Sequence, residues 1–228
     1  MLIGLLQTGH APEALRAGFG GYPDMFERLL AGHGFTFARY AVVDGEFPAS
    51  VDAAEGWLLT GSRHGAYDDL PFIPPLETFI RDARAALVPM VGICFGHQIM
   101  AQALGGQVEK HPGGWVVGPQ TYDFDGTPIR LNAWHQDQVI EPPPDAQVVG
   151  QNAGCVYAAL RYDDWGYSVQ AHPEFSDAFI EGLIETRARG VVPADLTTAA
   201  QRAMGAPNDA AVVADRIAAF FHQHRNRS

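Results

Sequence analysis

The chain has 228 residues, 47% hydrophobic and 18% charged. This is the balance of a folded globular chain large enough for one sizeable core, and it excludes disorder. Its 15 basic and 26 acidic residues leave a net charge of −11, which argues against nucleic acid or an anionic membrane as the main partner. No apolar run approaches the ~18 residues of a membrane span. The first apolar run carries no basic leader, and the two cysteines, Cys94 and Cys155, are too few for a disulfide framework. The expectation is a cytoplasmic chain folded as one domain over residues 1–228, with a helical C-terminal segment from about residue 190.

The elements alternate at first. Residues 2–7 read as a buried strand, and a loop rich in Gly18, Gly20, Gly21 and Pro23 follows. Met25, Phe26, Leu29 and Leu30 share one face of a helix that ends at Gly32 and Gly34. Residues 35–43 and 56–59 are strands, the second running into Thr60-Gly61-Ser62. Pro74 and Pro75 open a helix with Leu76, Phe79, Ile80, Ala83 and Leu87 on one face. Residues 89–93 form the next strand and lead directly into a helix over 95–104, stopped by Gly105-Gly106.

Between 107 and 167 the pattern changes to short β runs, among them 129–133, 146–150 and 156–161. A strand returns at 168–171. Helices are expected over 177–189, 195–204 and about 209–222, the last capped by Asn208. The fold class is α/β: a mostly parallel, doubly wound central sheet flanked by helices, with a small antiparallel extension of the same sheet.

The most informative segment is Val91-Gly92-Ile93-Cys94-Phe95-Gly96-His97-Gln98. Cys94 sits where an apolar strand gives way to a helix, with glycine two residues away on each side. Glycines there clear the space that a tight strand-to-helix turn needs. The helix start supplies partial positive charge and free N–H groups, which favour a thiolate. The Phe95 N–H would point to an oxyanion formed beside Cys94.

A nucleophilic cysteine needs a base and a group to orient it. His172, in Ala171-His172-Pro173-Glu174, lies at the end of a strand, where parallel α/β sheets gather their sites. Glu174 is two residues on, so in an extended chain it faces the same way and can hold one imidazole nitrogen. No second histidine pair has a spacing suited to zinc, and thiolate chemistry needs neither metal nor cofactor, so none is expected.

Together these residues resemble class I, triad-type glutamine amidotransferases, whose fold is flavodoxin-like. Residues 92–98 look like that family's nucleophile motif and 171–174 like its histidine–glutamate motif, 78 residues apart in the expected order. The resemblance covers about residues 40 to 180. It implies that Cys94 attacks the side-chain amide of glutamine to form a γ-glutamyl thioester. His172 would be the general base and then acid, oriented by Glu174, and the N–H groups of Gly61 and Phe95 would hold the oxyanion. It also implies that Gln98, Ser62 and Trp115, the last within Gly113-Gly114-Trp115-Val116-Val117-Gly118, lie near the substrate. His135 is either a pocket residue or part of a structural turn.

The sequence departs from the family in its oxyanion loop, where Ser62-Arg63-His64 follows Gly61 in place of Gly-Gly-Pro. It also has no ATP-binding loop. The chain is therefore similar to stand-alone members related to the glutaminase part of guanylate synthases, which leaves room for a separate synthetase partner. Three functions follow. The first is release of ammonia from glutamine, a small-molecule substrate. The second is a γ-glutamyl peptidase using the same triad. The third, a non-catalytic binding module, is disfavoured because Cys94, His172 and Glu174 are all present.

Overall fold

The computed structural model describes residues 1–225. Five apolar runs stand side by side as parallel strands, in the order β2 (Thr36–Tyr40), β1 (Leu2–Leu6), β3 (Gly56–Leu59), β4 (Met90–Ile93) and β11 (Gly166–Val169). Every residue of β3, β4 and β11 is buried, as strands covered by helices on both faces must be. Beyond β11 the sheet continues antiparallel through β10 (Cys155–Tyr162), β9 (Ala146–Asn152), β6 (Val116–Phe124) and β7 (Thr127–His135), giving nine strands. A separate antiparallel pair joins β5 (Gln107–Lys110) to β8 (Asp137–Glu141).

Because side chains alternate along a strand, the core falls into layers. Leu6, Trp57 and Leu59 pack with Leu76, Ile80 and Ile99 of α3 (Ile73–Ala85) and α4 (Phe95–Ala103). Ile3, Leu5, Leu58 and Val91 instead pack with Phe26, Ile217 and Phe221 of α2 (Tyr22–Leu29) and α7 (Ala210–Arg225). A third cluster joins Leu15 of α1 (Glu13–Phe19), Tyr22 of α2, Phe175, and Phe179 and Leu183 of α5 (Asp177–Arg187). The last helix to place is α6 (Ala194–Ala203), which lies near β6: Ala200 joins Val117 in a small cluster of its own. Among the described residues no helix is long and apolar enough to cross a membrane.

Three local expectations are corrected. The glycine-rich stretch after β1 contains α1, only seven residues long, whose Leu15 packs onto Gly182 of α5. A helix so short shows little periodicity. The second strand ends at Tyr40, and residues 42–44 turn as a single 3₁₀ unit. Leu87 does not continue the buried face of α3: that helix has ended at Ala85, and Leu87 sits at φ 55° with 71% of its surface exposed.

Candidate active site

Cys94 forms the one-residue corner between β4 and α4. Its φ of 54° and ψ of −103° are rare for a residue with a side chain, so the surrounding structure must impose them. Three hydrogen bonds do so. Cys94 N donates to Val169 O at 2.9 Å, Gln98 N donates to Cys94 O at 3.0 Å, and Gly96 N donates to Thr60 O at 3.2 Å. A Cβ on Gly92 would lie 2.4 Å from the Gly96 oxygen, and one on Gly96 would lie 2.6 Å from the Leu59 oxygen. Only glycine lets β3, β4 and α4 meet this closely. Phe95 is the first residue of α4, so its N–H has no acceptor within the helix.

His172 lies just past β11 and is 4% exposed. Its N–H donates to Asn132 O of β7 at 2.8 Å, while Asn132 Nδ2 donates to Phe175 O and Asp177 Oδ1, both at 3.0 Å. Strand β7 thus fixes the turn that carries His172. The imidazole Nδ1 lies 2.7 Å from Oε1 of Glu174, whose side chain is fully buried. The ring stacks on Phe175, centroids 3.9 Å apart and planes 4° apart. Burial pushes the His172 imidazole down, but the Glu174 carboxylate and then Cys94 outweigh it and raise it to about 10. With Nδ1 committed to Glu174, Nε2 is the nitrogen left free to serve Cys94, whose proximity helps to raise the imidazole.

Gly61 closes the group from the side of β3. A Cβ there would fall 2.9 Å from His172 Cε1 and 3.7 Å from Cys94 Cβ. Thr8, at the end of β1, holds this loop. Its hydroxyl lies 2.9 Å from Thr60 O and 3.1 Å from Gly61 O, and its N–H donates to Thr60 Oγ1 at 3.1 Å.

Cys94 and His172 open into a cavity of about 500 Å³. Ser62, Gln98, Trp115 and His135 all line it. The Gln98 amide is spent on the protein, donating to Asp137 O at 2.8 Å and Gln170 Oε1 at 3.1 Å. Ser62 Oγ accepts from His64 N at 3.2 Å. His135 is buried, and burial together with the charge of His172 holds it down at about 3, so it stays neutral. Trp115 pairs with Trp134, ring centroids 6.0 Å apart. Sequence reasoning missed Tyr22 and Arg187 as cavity residues, and Asn132 and Thr8 as supports. The signal within reach was position: Thr8 follows β1 at its carboxyl end, where such sites form.

Comparison with known proteins agrees with this geometry. The model of the family "Glutamine amidotransferase class-I" matches residues 61–178, just over half the chain, and the match contains Gly61, Cys94, His172 and Glu174. Gamma-glutamyl peptidase 4 of Arabidopsis thaliana is 31% identical over 183 residues, covering 73% of each chain. The glutamine-hydrolysing GMP synthase subunit of Methanopyrus kandleri is 35% identical over 102 residues, 38% of this chain and 52% of that one. Among solved structures, a glutamine amidotransferase from Thermotoga maritima superposes with a TM-score of 0.73 at 20% identity, covering 98% of this chain and 97% of that one. A cysteine on a strained strand-to-helix corner, backed by a buried histidine and carboxylate, sits inside the matched region, and the chain belongs to the class I glutamine amidotransferase family.

Proposed function

We propose that the chain hydrolyses the γ-amide bond of a glutamyl compound through a thioester on Cys94. The observation that carries this is the convergence of Cys94, His172 and Glu174 at the carboxyl ends of β4 and β11, with Gly61 packed against the first two. Cys94 Sγ attacks the γ-carbonyl carbon with its proton already resting on His172 Nε2, where Glu174 favours it. The N–H groups of Gly61 and Phe95 hold the oxyanion. Collapse breaks the C–N bond as His172 protonates the departing nitrogen. Water then attacks the thioester, His172 takes one of its protons, and glutamate leaves as the C–S bond breaks, which restores Cys94 Sγ beside the protonated His172. Glu174 keeps the imidazole in one tautomer and offsets the charge it carries.

Two leaving groups fit this chemistry. Loss of ammonia from glutamine, for a synthetase partner, is supported by the likeness to a glutamine-hydrolysing GMP synthase. Loss of an amino acid or peptide is supported by the likeness to γ-glutamyl peptidases over most of the chain. The test is glutamate release from glutamine and from a γ-glutamyl dipeptide, with Cys94→Ala as control. Release that disappears in Cys94→Ala is expected. Equal release by the variant would refute the thioester route.

A further inference from the structure

The cavity has two walls that belong to different packing units. One is polar and charged: Ser62, Arg63, Asp68, Gln98, Lys110 and Asp137 line it, and Tyr67 OH donates to Asp137 Oδ2 at 3.1 Å. The other is aromatic, with one guanidinium. Phe175 carries the stacked His172 ring and packs on Tyr22, centroids 6.0 Å apart. Trp115, Trp134, Leu183 and Arg187 complete that side.

The direction of the reaction assigns these walls. The departing nitrogen must receive its proton from His172, so the leaving group lies on the side of the imidazole. That is the wall of Phe175, Tyr22, Trp134 and Arg187. Ammonia needs none of these groups. The cavity, at about 500 Å³, is also larger than a single glutamine requires.

Arg187 is the pointed feature of this wall. It is half-buried at the last turn of α5. Its charge favours ionisation of the nearby Tyr22 hydroxyl, and no ion pair joins it to a carboxylate among the described residues. Arg39 and Arg84, by contrast, each meet an acidic side chain at 2.7–2.8 Å. A guanidinium that faces a cavity without an ion-pair partner among the described residues is a ready partner for a carboxylate, which it can grip with two parallel N–H donors.

We propose that this wall is a leaving-group subsite for an amino acid or short peptide attached through its amine to the γ-carboxyl of glutamate. Arg187 holds the leaving group's carboxylate, and the Trp115–Trp134 pair lies against its side chain. The proposal rests on the Cys94 chemistry above and makes a γ-glutamyl peptide, rather than glutamine, the substrate the site is shaped for. Hydrolysis then consumes one water and yields free glutamate and the free amine, with no other co-reactant.

The test uses two substrates that differ only in that carboxylate: γ-glutamylphenylalanine and γ-glutamylphenylalanine amide. Wild-type protein is expected to prefer the free acid by tenfold or more in kcat/KM, mostly through KM. Arg187→Met is expected to bring the ratio close to one, and Arg187→Lys to keep part of it. Because the readout is a ratio, any general loss from the substitution cancels. A wild type that does not distinguish the two, or a preference that survives in Arg187→Met, overturns the subsite. A diazoketone analogue of glutamine separates the two layers of argument. Labelling of Cys94 without cleavage of either dipeptide overturns the subsite alone; no labelling and no cleavage overturns the Cys94 reading and the subsite with it.

Discussion

Gly61→Ala tests the geometry of the site with one methyl group. The glycine has no left-handed φ, so alanine suits its backbone. The added Cβ would lie 2.9 Å from His172 Cε1, whereas carbon atoms rest at about 3.5–4.0 Å. Relief therefore needs a movement of roughly 1 Å. The imidazole has nowhere to go: Phe175 is stacked behind it at 3.9 Å and Glu174 holds Nδ1 at 2.7 Å. The loop is tied as well, through the Thr8 contacts to Thr60 and Gly61. Either the base or the oxyanion donor moves off its position. A displacement of that size costs about 100-fold in rate, or about 2.7 kcal/mol of transition-state stabilisation. The assay is glutamate release from a γ-glutamyl substrate, with thermal unfolding in parallel. The expected variant unfolds within a few degrees of wild type and loses about two orders of magnitude in kcat/KM. A folded variant within twofold of wild-type activity would refute the placement of Gly61 against the proposed catalytic pair.

Other substitutions probe the supports. Glu174→Gln leaves shape intact but removes the charge that raises His172, and is expected to lower kcat by about 10²–10⁴-fold. The same variant has a stability signature. Because folding raises His172 from 6.5 to about 10, the folded state holds that proton more tightly. The resulting stabilisation is full below the unfolded value and is lost as pH rises through about 10. Urea unfolding should show the Glu174→Gln deficit at pH 6 shrinking by pH 10, and a deficit independent of pH would contradict the coupling. Asn132→Ala removes the donor to Phe175 O and Asp177 Oδ1 and should cost about 1–3 kcal/mol of stability. It should also lower kcat, since the turn carrying His172 loosens. Gly92→Ala sets a Cβ 2.4 Å from a backbone oxygen. It is expected to cost about 3 kcal/mol or more, seen as a lower urea midpoint or loss of soluble protein.

The strand-to-helix corner was legible because its constraint is local. The spacing of Gly92, Cys94 and Gly96 encodes a steric requirement that the close contacts to Gly96 and Leu59 make explicit. The pairing of His172 with Glu174 was legible for a similar reason: a two-residue offset in extended chain puts both side chains on one side, and the 2.7 Å contact follows. Tyr22, Arg187 and Asn132 were not legible. They reach the site from α2, α5 and β7, and no sequence offset encodes a meeting produced by helix packing. Leu87 fitted the period of α3 but lay beyond its end, because periodicity records a face and not the point where hydrogen bonding stops. The short β runs of the middle region were visible, but their spatial order was not: β6 and β7 form the far edge of the sheet although they precede β9 to β11 in the chain.

That order bears on what each half of the sheet can change. The ends of the parallel strands β3 and β4 lead into Gly61, which packs against the His172 ring, and Cys94, which is held by backbone hydrogen bonds and sits between Gly92 and Gly96, two glycines whose backbone contacts leave no room for a Cβ. Substitution there would disturb the proposed thioester chemistry first. The antiparallel edge contributes Trp115, which leads into β6, and Asn132, Trp134 and His135 of β7. Of these, Asn132 acts on His172 through the backbone, while Trp115 and Trp134 face the cavity. On the proposed function, a change to either tryptophan would alter what is accepted beyond the scissile bond while leaving the cysteine corner untouched. With Arg187 on α5 facing the same space, the proposed choice between ammonia and a larger amine would rest on residues outside the cysteine corner and the histidine–glutamate pair.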